Sequence, residues 1–256
     1  MPTNSIQSTP RTALITGGGR RIGAAIARAL ARAGYAVVLH ANTSRTEAEA
    51  VAGRIAKDGG QAYVVLADLA DPQALRGLIP AAAAFAPLTL LVNNASVFED
   101  DEIGTLERAQ FDRTMAINLT APLFLAQAFA AQAPQAGDAA IVNIVDQRVL
   151  RPNPRFFSYT LSKSALHTAT TTLAQALAPL RVNAVAPGPV LPSPRQTDAQ
   201  FAAQAASVPL GQGPSPDDIA AAVVYLAGAA SVTGVTLAVD GGQHLSWRTA
   251  DSDVAE

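Results

Sequence analysis

The start of the chain combines short apolar stretches with a glycine-rich turn, in an order that restricts the fold more than any other feature. Residues 12–16 form an apolar run with a β-branched end, which predicts a buried strand. The turn is Gly17-Gly-Gly-Arg-Arg-Ile-Gly23, after which apolar residues recur at helical spacing to Ala33. A second apolar run follows at 36–40. This order predicts a dinucleotide-binding unit, because glycines let a pyrophosphate approach the helix N-terminus; a tight turn without a ligand is the alternative.

The rest of the chain continues the alternation of strands and helices. Further strands are predicted at 62–68, 88–92, 139–145, 180–186 and 236–239, and helices from Asp71-Pro72, over 105–133, around Tyr159 to about 178 and over 216–227. Repeated units of this kind favour a single-domain α/β fold with a doubly wound parallel sheet covered by helices on both faces. We expect the domain to span 11–248, with a proline-rich substrate lid at about 190–215, a flexible N-terminus at 1–10 and a tail at 249–256.

Composition and charge exclude several classes of function. The 256 residues include no cysteine, which rules out disulfides, thiolate catalysis and cysteine–zinc sites. The three histidines lack metal-ligand spacing, so no metal is expected. A net charge of −2 gives no electrostatic case for nucleic acid, and no stretch resembles a signal peptide or a membrane span. We therefore expect a cytoplasmic protein that acts on a small molecule.

Tyr159 and Lys163 lie four residues apart and share one face if their segment is helical. A free tyrosine has a pKa of about 10, and a fixed positive charge nearby favours its phenolate form. Such a pair can move a proton at a carbonyl or an imine. The spacing alone is also common on solvated helix surfaces, so the surrounding motifs must decide.

Several motifs occur together in a fixed order: Thr16-Gly-Gly-Gly-Arg-Arg-Ile-Gly23, Asp68, Asn93-Asn-Ala95, Asn118, Tyr159-x-x-x-Lys163, Pro187-Gly188 and Val239-Asp-Gly-Gly242. On these motifs the chain resembles the short-chain dehydrogenase/reductase family over nearly its whole length. The resemblance implies a seven-stranded Rossmann-type sheet and a nicotinamide cofactor. It further implies that Tyr159 donates the proton, that Lys163 binds the nicotinamide ribose and lowers the tyrosine pKa, that Asn118 supports a relay water, and that Asp68 contacts adenine.

Two departures from the common family pattern concern the substrate. Asp146 stands where such proteins usually carry a serine, and Arg21 stands where glycine is usual. An ionised carboxylate only accepts hydrogen bonds, so it suits a substrate with N–H groups or a ring nitrogen that needs a proton. Both features resemble the pteridine reductase branch, as does Phe98, which that branch stacks over the pteridine ring. The alternatives are an inert or turn-capping Asp146, packing by Phe98 and a solvated Arg21.

The stretch after the second predicted strand favours NADPH over NADH. It is His40-Ala-Asn-Thr-Ser-Arg45, without the acidic residue that holds the ribose of NAD. Asn42, Ser44 and Arg45 can donate to a phosphate, and Arg20 and Arg21 add positive charge. His40 and Ser44 match the pteridine reductases, whereas Thr43 replaces their arginine.

The expected site divides into three sets. The catalytic set is Asn118, Asp146, Tyr159 and Lys163, and the substrate set is Ser96, Phe98, Asp146 and Tyr159. The expected cofactor contacts are Gly17, Arg20, Arg21, Ile22, Gly23, His40, Asn42, Ser44, Arg45, Asp68, Leu69, Asn94, Ala95, Ser96, Tyr159, Lys163, Pro187, Gly188 and Val190. Three further arginines, Arg148, Arg151 and Arg155, cluster after Asp146. One of them can reach a phosphate or an acidic substrate tail, and a solvated loop is the alternative.

The sequence therefore predicts an NADPH-dependent reductase of a pteridine such as dihydromonapterin or dihydrofolate. A carbonyl or 3-oxoacyl reductase of the same family is one alternative, and a non-catalytic NADPH-binding scaffold or sensor is another. The resemblance also implies a homotetramer or homodimer that pairs through the helices near 110–133 and 159–178.

Overall fold

A computed structural model describes residues 11–133 and 139–247. Seven parallel strands form one sheet in the order β3-β2-β1-β4-β5-β6-β7. The strands are β1 Thr12–Ile15, β2 Ala36–Ala41, β3 Ala62–Leu66, β4 Leu88–Asn93, β5 Ala140–Ile144, β6 Arg181–Pro187 and β7 Thr236–Val239. Every residue of the central strands β1, β4, β5 and β6 is buried, as expected for a parallel sheet covered on both faces. The predicted single-domain, doubly wound Rossmann-type sheet is confirmed.

Eight α-helices are present among the described residues: α1 Arg21–Arg32, α2 Arg45–Lys57, α3 Pro72–Ala83, α4 Arg108–Met115, α5 Ala121–Gln132, α6 Phe157–Ala176, α7 Asp198–Ala206 and α8 Pro216–Gly228. A π-helical turn at Ala116–Thr120 joins α4 to α5, and 3₁₀ turns lie at Gln147–Val149 and Gln243–Leu245. Helices α1, α2 and α8 pack on one face of the sheet. Helices α3 and α5 bury Leu78, Leu125 and Phe129 on the other.

Two helices are absent from the sequence prediction. Helix α2 buries only Ala48, Val51 and Ile55, so its apolar stripe is narrow. Helix α7 lies within the expected lid and buries none of its residues, which leaves no apolar period to detect. Its start nevertheless has a capping box in which the Thr197 side chain accepts from Gln200 N and the Gln200 side chain from Thr197 N. The termini at 1–10 and 249–256 lie outside the described residues.

One stretch passes the length and composition test for a membrane span among the described residues. Arg108–Gln132 has 25 residues and an 18-residue window of mean hydropathy 1.3. The expectation that no stretch is long and apolar enough was therefore wrong. In the fold this stretch is α4, the π turn and α5, and Leu125, Ala126 and Phe129 of α5 are buried in the core. The buried apolar side chains of this stretch are thus used for packing on the sheet.

The topology creates a crevice at the carboxyl ends of two neighbouring strands. β1 pairs with both β2 and β4, so the order of the sheet reverses beside it. The helix after β1 covers one face, whereas the helices after β4 lie on the other. Ligands of open α/β sheets bind at such a switch point. The glycine turn after β1 and residues 94–98 after β4 border this crevice.

Candidate active site

The glycine turn is fixed against the end of β4 by hydrogen bonds. The Asn94 side-chain amide donates to the carbonyl oxygens of Thr16 and Gly17 at 2.8 and 3.2 Å. Thr16 Oγ1 accepts from the backbone N–H groups of Asn94 and Ala95 at 2.9 and 3.0 Å. Gly17 has a φ of +65°, which glycine adopts without strain. A Cβ at Gly23 would lie 2.7 Å from Asn94 Nδ2 and closer still to the Gly17 carbonyl oxygen, so the turn requires glycine there.

His40 holds the glycine turn in place through hydrogen bonds. Its Nδ1 accepts from Gly17 N at 3.2 Å, which leaves Nε2 as the donor to the Ala67 carbonyl oxygen at 3.0 Å. The side chain is buried, and burial lowers its pKa, which favours the neutral ring. Both ring nitrogens are therefore engaged with the backbone. The ring thus holds the turn, and the expected cofactor contact of His40 remains a prediction.

Arg21 occupies the position where the family pattern has glycine, and its backbone shows why glycine suits that position. Its φ is +50°, in the left-handed region that costs an ordinary residue about 1 kcal/mol. Its guanidinium donates to the carbonyl oxygens of Pro192 and Leu191 at 3.0 and 3.3 Å. Arg21 thus joins the start of α1 to the expected lid, a contact that its residue type did not reveal.

The polar residues after β2 lie on the surface. Asn42 and Arg45 are exposed and Ser44 is half-buried. Arg45 pairs with Glu49 at 3.2 Å and Arg20 with Glu47 at 3.5 Å, with all four side chains well exposed. Such exposed pairs contribute little, so either guanidinium can exchange its partner for a phosphate. The expected roles of these residues remain predictions.

Asp68 follows β3, and each of its two carboxylate oxygens has a partner in the protein. Its Oδ1 accepts from Ala70 N at 2.9 Å, and its Oδ2 lies 3.6 Å from Arg113 Nη1. Leu69 beside it is buried. Asp68 and Leu69 lie at the carboxyl ends of the strands, as the glycine turn does, because β3, β2 and β1 are parallel neighbours.

Asn118 lies in the π-helical turn and is fully buried. Its Oδ1 accepts from Val97 N at 2.8 Å and from Ser96 Oγ at 3.2 Å. Its Nδ2 donates to the Val97 carbonyl oxygen at 2.9 Å and to Ser162 Oγ at 3.1 Å. The side chain is therefore saturated by the protein and ties the loop after β4 to α6. Support of a relay water by Asn118 stays a prediction.

Tyr159, Asp146 and Lys163 converge at the carboxyl end of β5. The Tyr159 hydroxyl donates to Asp146 Oδ2 at 2.8 Å. The other carboxylate oxygen, Oδ1, accepts from Arg148 N at 2.9 Å, as the cap of the 3₁₀ turn. Lys163 Nζ donates to the Ile144 carbonyl oxygen at 2.7 Å and lies 5.8 Å from the centre of the Tyr159 ring. Because α6 buries both Tyr159 and Lys163, the pair does not lie on a solvated helix surface.

Burial shifts the pKa values of all three groups. It raises the pKa of Asp146, and the hydrogen bonds from Arg148 and Tyr159 oppose that shift only in part. Burial and then the Asp146 carboxylate raise the pKa of Tyr159 well above its ordinary value. Burial also lowers the pKa of Lys163 to about 8. The expected lowering of the tyrosine pKa by Lys163 is therefore wrong here, because desolvation and the neighbouring carboxylate act in the opposite direction.

Phe98 contacts Tyr159 on one side and Arg195 of the expected lid on the other. Its ring stacks on Phe156, with centroids 4.2 Å apart and an interplanar angle of 9°. It meets the Tyr159 ring edge to face at 4.6 Å. Arg195 of the lid donates to the Phe98 carbonyl oxygen and pairs with Glu99 at 3.0 Å. Phe98 is thus part of an aromatic cluster, and neither Phe156 nor Arg195 was identified from the sequence.

Asp101 is a second buried carboxylate that the sequence analysis missed. It accepts from Ser158 N at 3.0 Å and from the Ser158 hydroxyl, and its backbone oxygen accepts from Phe157 N at 3.0 Å. These bonds attach the loop after β4 to the first turn of α6. Phe156, just before that turn, has a φ of +54°. The run Glu99-Asp-Asp-Glu102 gives no signal that one of its members is buried, since its neighbours are exposed.

A cavity of about 740 Å³ is lined by part of the expected site. His40, Asp68 and Asn118 are not among its lining residues. Among the expected cofactor contacts it is lined by Arg21, Ile22, Asn94, Pro187, Gly188 and Val190. Among the expected substrate and catalytic residues it is lined by Ser96, Phe98, Asp146, Tyr159 and Lys163. The lid contributes Leu191, Ser193, Arg195 and Gln196. A volume of this size is typical of small-molecule sites.

The chain belongs to the short-chain dehydrogenase/reductase family of oxidoreductases. A family model described as enoyl-(acyl carrier protein) reductase matches residues 18–244. An uncharacterized oxidoreductase of Methylorubrum extorquens is 36% identical over 242 residues, which cover 91% of this chain and 97% of that protein. A 3-oxoacyl-[acyl-carrier-protein] reductase of Synechocystis is 32% identical, with 91% and 97% covered.

Within the family, the chain is similar to the pteridine reductase branch. The crystal structure of FolM alternative dihydrofolate reductase 1 from Brucella canis, complexed with NADP, is 49% identical. It superimposes with a TM-score of 0.90, and the match covers 95% of this chain and 97% of the Brucella chain. The resemblance found in the motifs is therefore confirmed at the level of the family and the branch.

Proposed function

We propose that this protein is an NADPH-dependent reductase of a dihydropteridine, such as dihydromonapterin or dihydrofolate. The observation that carries the proposal is the Asp146 carboxylate, which lines the cavity and accepts the Tyr159 hydroxyl at 2.8 Å. A carboxylate at this position repels the developing alkoxide of a reduced ketone, whereas it pairs well with the N–H edge of a pteridine. The similarity to FolM supports the same substrate class.

The residues present fit a dinucleotide phosphate. Gly23 lies against the Gly17 carbonyl oxygen, and neither residue has a side chain. A phosphate can therefore approach the backbone N–H groups at the N-terminus of α1. No acidic residue stands at 42–44 to repel a 2′-phosphate, and the guanidinium groups of Arg20 and Arg45 are exposed nearby. When bound, NADPH supplies the hydride. Lys163, which donates to the Ile144 carbonyl oxygen in the cavity wall, would donate to the nicotinamide ribose.

Reduction of a C=N bond adds a hydride to carbon and a proton to nitrogen. Loss of the Tyr159 proton would leave a phenolate beside the Asp146 carboxylate, and the raised tyrosine pKa opposes that loss. Burial raises the pKa of the Asp146 carboxyl above its ordinary value, so this group takes up a proton more readily than an exposed aspartate. We therefore assign proton delivery to Asp146, which gives its proton to the ring nitrogen and becomes the carboxylate that pairs with the new N–H. Tyr159 orients the carboxyl and stabilises the carboxylate left after transfer, through the hydrogen bond already present.

The direct test measures NADPH consumption by the purified protein with dihydrobiopterin, dihydromonapterin and dihydrofolate, against a panel of simple ketones and a 3-oxoacyl thioester. We expect turnover of at least one dihydropteridine at a higher kcat/KM than any ketone. Turnover of ketones alone would overturn the proposal. It would favour the second candidate, a carbonyl or 3-oxoacyl reductase, which the Synechocystis relative supports. NADPH binding without turnover of any substrate would favour a scaffold or sensor.

Assembly and location complete the proposal. Phe124 on α5 and Leu161 on α6 are exposed apolar residues, 54% and 42% accessible, on the two helices expected to pair. Burial of these faces in a homotetramer or homodimer would remove apolar surface from water. We propose such an assembly and a cytoplasmic location. Sedimentation of the purified protein measures its oligomeric state.

A further inference from the structure

Three guanidinium groups surround the Phe156 ring at the outer rim of the cavity. The guanidinium carbons of Arg148, Arg155 and Arg195 lie 5.1, 5.7 and 5.8 Å from the ring centre. The first two arginines flank the turn that precedes α6, whereas Arg195 comes from the lid. All three side chains line the same cavity as Asp146. We call Arg148, Arg155 and Arg195 the basic rim.

Two members of the basic rim have exposed carboxylate partners, and the third, Arg148, interacts electrostatically with the Asp146 carboxyl. Arg155 pairs with Asp100 at 3.2 Å and Arg195 with Glu99 at 3.0 Å, and these four side chains are between 41% and 69% exposed. Arg148 donates its side chain to the neutral amide oxygen of Asn153 at 2.6 Å. Exposed pairs such as these contribute little, so an anionic ligand can replace either carboxylate at low cost. An anion at the rim would be held by up to three planar donors.

The path from the catalytic pair to the basic rim is lined by flat rings. Tyr159 contacts Phe98, Phe98 stacks on Phe156, and Phe156 lies among the three arginines. A ligand with its reducible ring at Asp146 would therefore pass along aromatic surface before it reaches positive charge. A flat linker that ends in carboxylates matches this order of surfaces.

We propose that the basic rim is a subsite for the anionic tail of the substrate, so that the enzyme prefers pteridines joined through a flat linker to a carboxylate tail over unconjugated pteridines. This inference rests on the pteridine reductase function proposed above. Dihydrofolate has such a tail and dihydrobiopterin lacks one, so the pair of compounds probes the subsite directly.

The test compares kcat/KM for dihydrofolate and dihydrobiopterin in the wild type, in Arg148→Gln/Arg155→Gln and in Arg151→Gln. Arg151 lies on the same loop and its replacement removes one positive charge, but it is exposed and is not among the residues that line the cavity. We expect the ratio of dihydrofolate to dihydrobiopterin kcat/KM to fall about tenfold in the double variant, through KM for dihydrofolate, as for loss of two partly exposed ion pairs. The ratio should stay unchanged in Arg151→Gln.

Ionic strength gives a second readout on the wild type. KM for dihydrofolate should rise between 0.05 and 0.5 M salt more steeply than KM for dihydrobiopterin, since screening weakens the tail contact alone. A ratio that is the same in the wild type and in the double variant, with both compounds reduced, would overturn the subsite and leave the proposed function intact. Failure of the wild type to reduce either compound would overturn the subsite, and failure with dihydromonapterin as well would refute the proposed function. NADPH binding by the double variant, measured by fluorescence, shows that it is folded.

Discussion

The two ends of the cavity are built in different ways. The glycine end, residues 16–23 with Asn94, is shaped by the backbone: its hydrogen bonds join main-chain groups or hold them in place, and a Cβ has no room at Gly23. The carboxylate end, Asp146, Tyr159 and Lys163 with Phe98, consists of buried side chains whose pKa values are shifted. The first end therefore depends on the absence of side chains and the second on their chemical identity. A substitution at the glycine end should accordingly lower the turnover of every substrate. A substitution at the carboxylate end should change the turnover of some substrates and not of others.

The largest separation should follow from Asp146→Ser. Loss of the carboxyl removes the proposed general acid and the partner of the pteridine N–H edge. Reduction of the preferred dihydropteridine should fall by about 100-fold or more in kcat, a typical contribution of general acid catalysis. Reduction of a ketone should be spared or improved, because a serine hydroxyl can donate to a carbonyl oxygen. Steady-state kinetics with both substrates measure the effect.

Asp146→Asn serves as the matched control, since it keeps the size of the side chain and removes its acidity. It should lose dihydropteridine reduction without gaining ketone reduction to the extent of the serine variant. Equal losses with both substrate classes in Asp146→Ser would contradict the substrate role of the carboxylate end.

The opposite behaviour is expected of Gly23→Ala. The added Cβ would collide with the Gly17 carbonyl oxygen and with Asn94 Nδ2, so the turn must shift. Overpacking of this kind costs about 1–3 kcal/mol, which corresponds to a roughly 5- to 150-fold weaker affinity for NADPH. Turnover of every substrate should fall together. Fluorescence titration with NADPH measures the change in Kd.

Gly77→Ala in α3 is the control for a glycine with open space. No atom lies within 4 Å of a Cβ at this exposed helical position. Alanine should leave the NADPH affinity unchanged and should add up to about 1 kcal/mol to the free energy of unfolding. An unchanged Kd in Gly23→Ala would show that the turn tolerates a side chain and would break the comparison between the two ends.

The sequence predicts the glycine end better than the carboxylate end, for a physical reason. Backbone shape at the glycine end is encoded locally, since the glycines, the apolar strands and the following helix are neighbours in the chain. Asn94 was identified through its motif, and the structure shows it bonded to the turn. Arg21 was identified as unusual, but its guanidinium bonds residues of the expected lid that lie 170 and 171 positions away, which no local pattern encodes.

The carboxylate end depends on contacts that no local pattern encodes. Asp146 and Tyr159 were singled out, yet the direction of the tyrosine pKa shift follows from how deeply both are buried. Phe156 and Asp101 were missed, because an aromatic residue in a loop and an aspartate in an acidic run are common on surfaces. Helix α2 and helix α7 were missed for a related reason, since each buries few or no side chains.

A smaller effect is expected at the loop after β4, where Asp101 positions the start of α6. Asp101→Ala leaves Ser158 N without its acceptor in a buried setting. The free energy of unfolding should fall by about 1–3 kcal/mol, and kcat should fall while KM for NADPH changes little. Asp101→Asn, which retains one acceptor oxygen, should restore part of the free energy of unfolding and part of kcat. Denaturant titration measures the first quantity and steady-state kinetics the second. Glu102→Ala, an exposed neighbour, is the control, and an equal loss there would contradict a specific role of Asp101.

The smallest effect concerns the stability cost of the carboxylate end. Burial raises the folded-state pKa of Asp146 above its ordinary value of 3.8. The carboxyl therefore contributes stability below pH 3.8, and that contribution is lost as pH rises through the folded-state pKa. Asp146→Asn, a neutral replacement, should raise Tm relative to the wild type at pH 8 by a few degrees, at about 2–4 °C per kcal/mol for a chain of this size. The difference should shrink toward pH 4.

Thermal denaturation at pH 4, 6 and 8 measures this trend, with Asp58→Asn as the control. Asp58 is exposed at the end of α2, so its replacement should shift Tm little. A gain for Asp146→Asn that does not depend on pH would point to packing instead of desolvation of the charge. A gain that grows with pH would mean that the carboxylate end is kept charged and buried at a cost in stability. The glycine end, whose constraint is steric, should show no such dependence on pH.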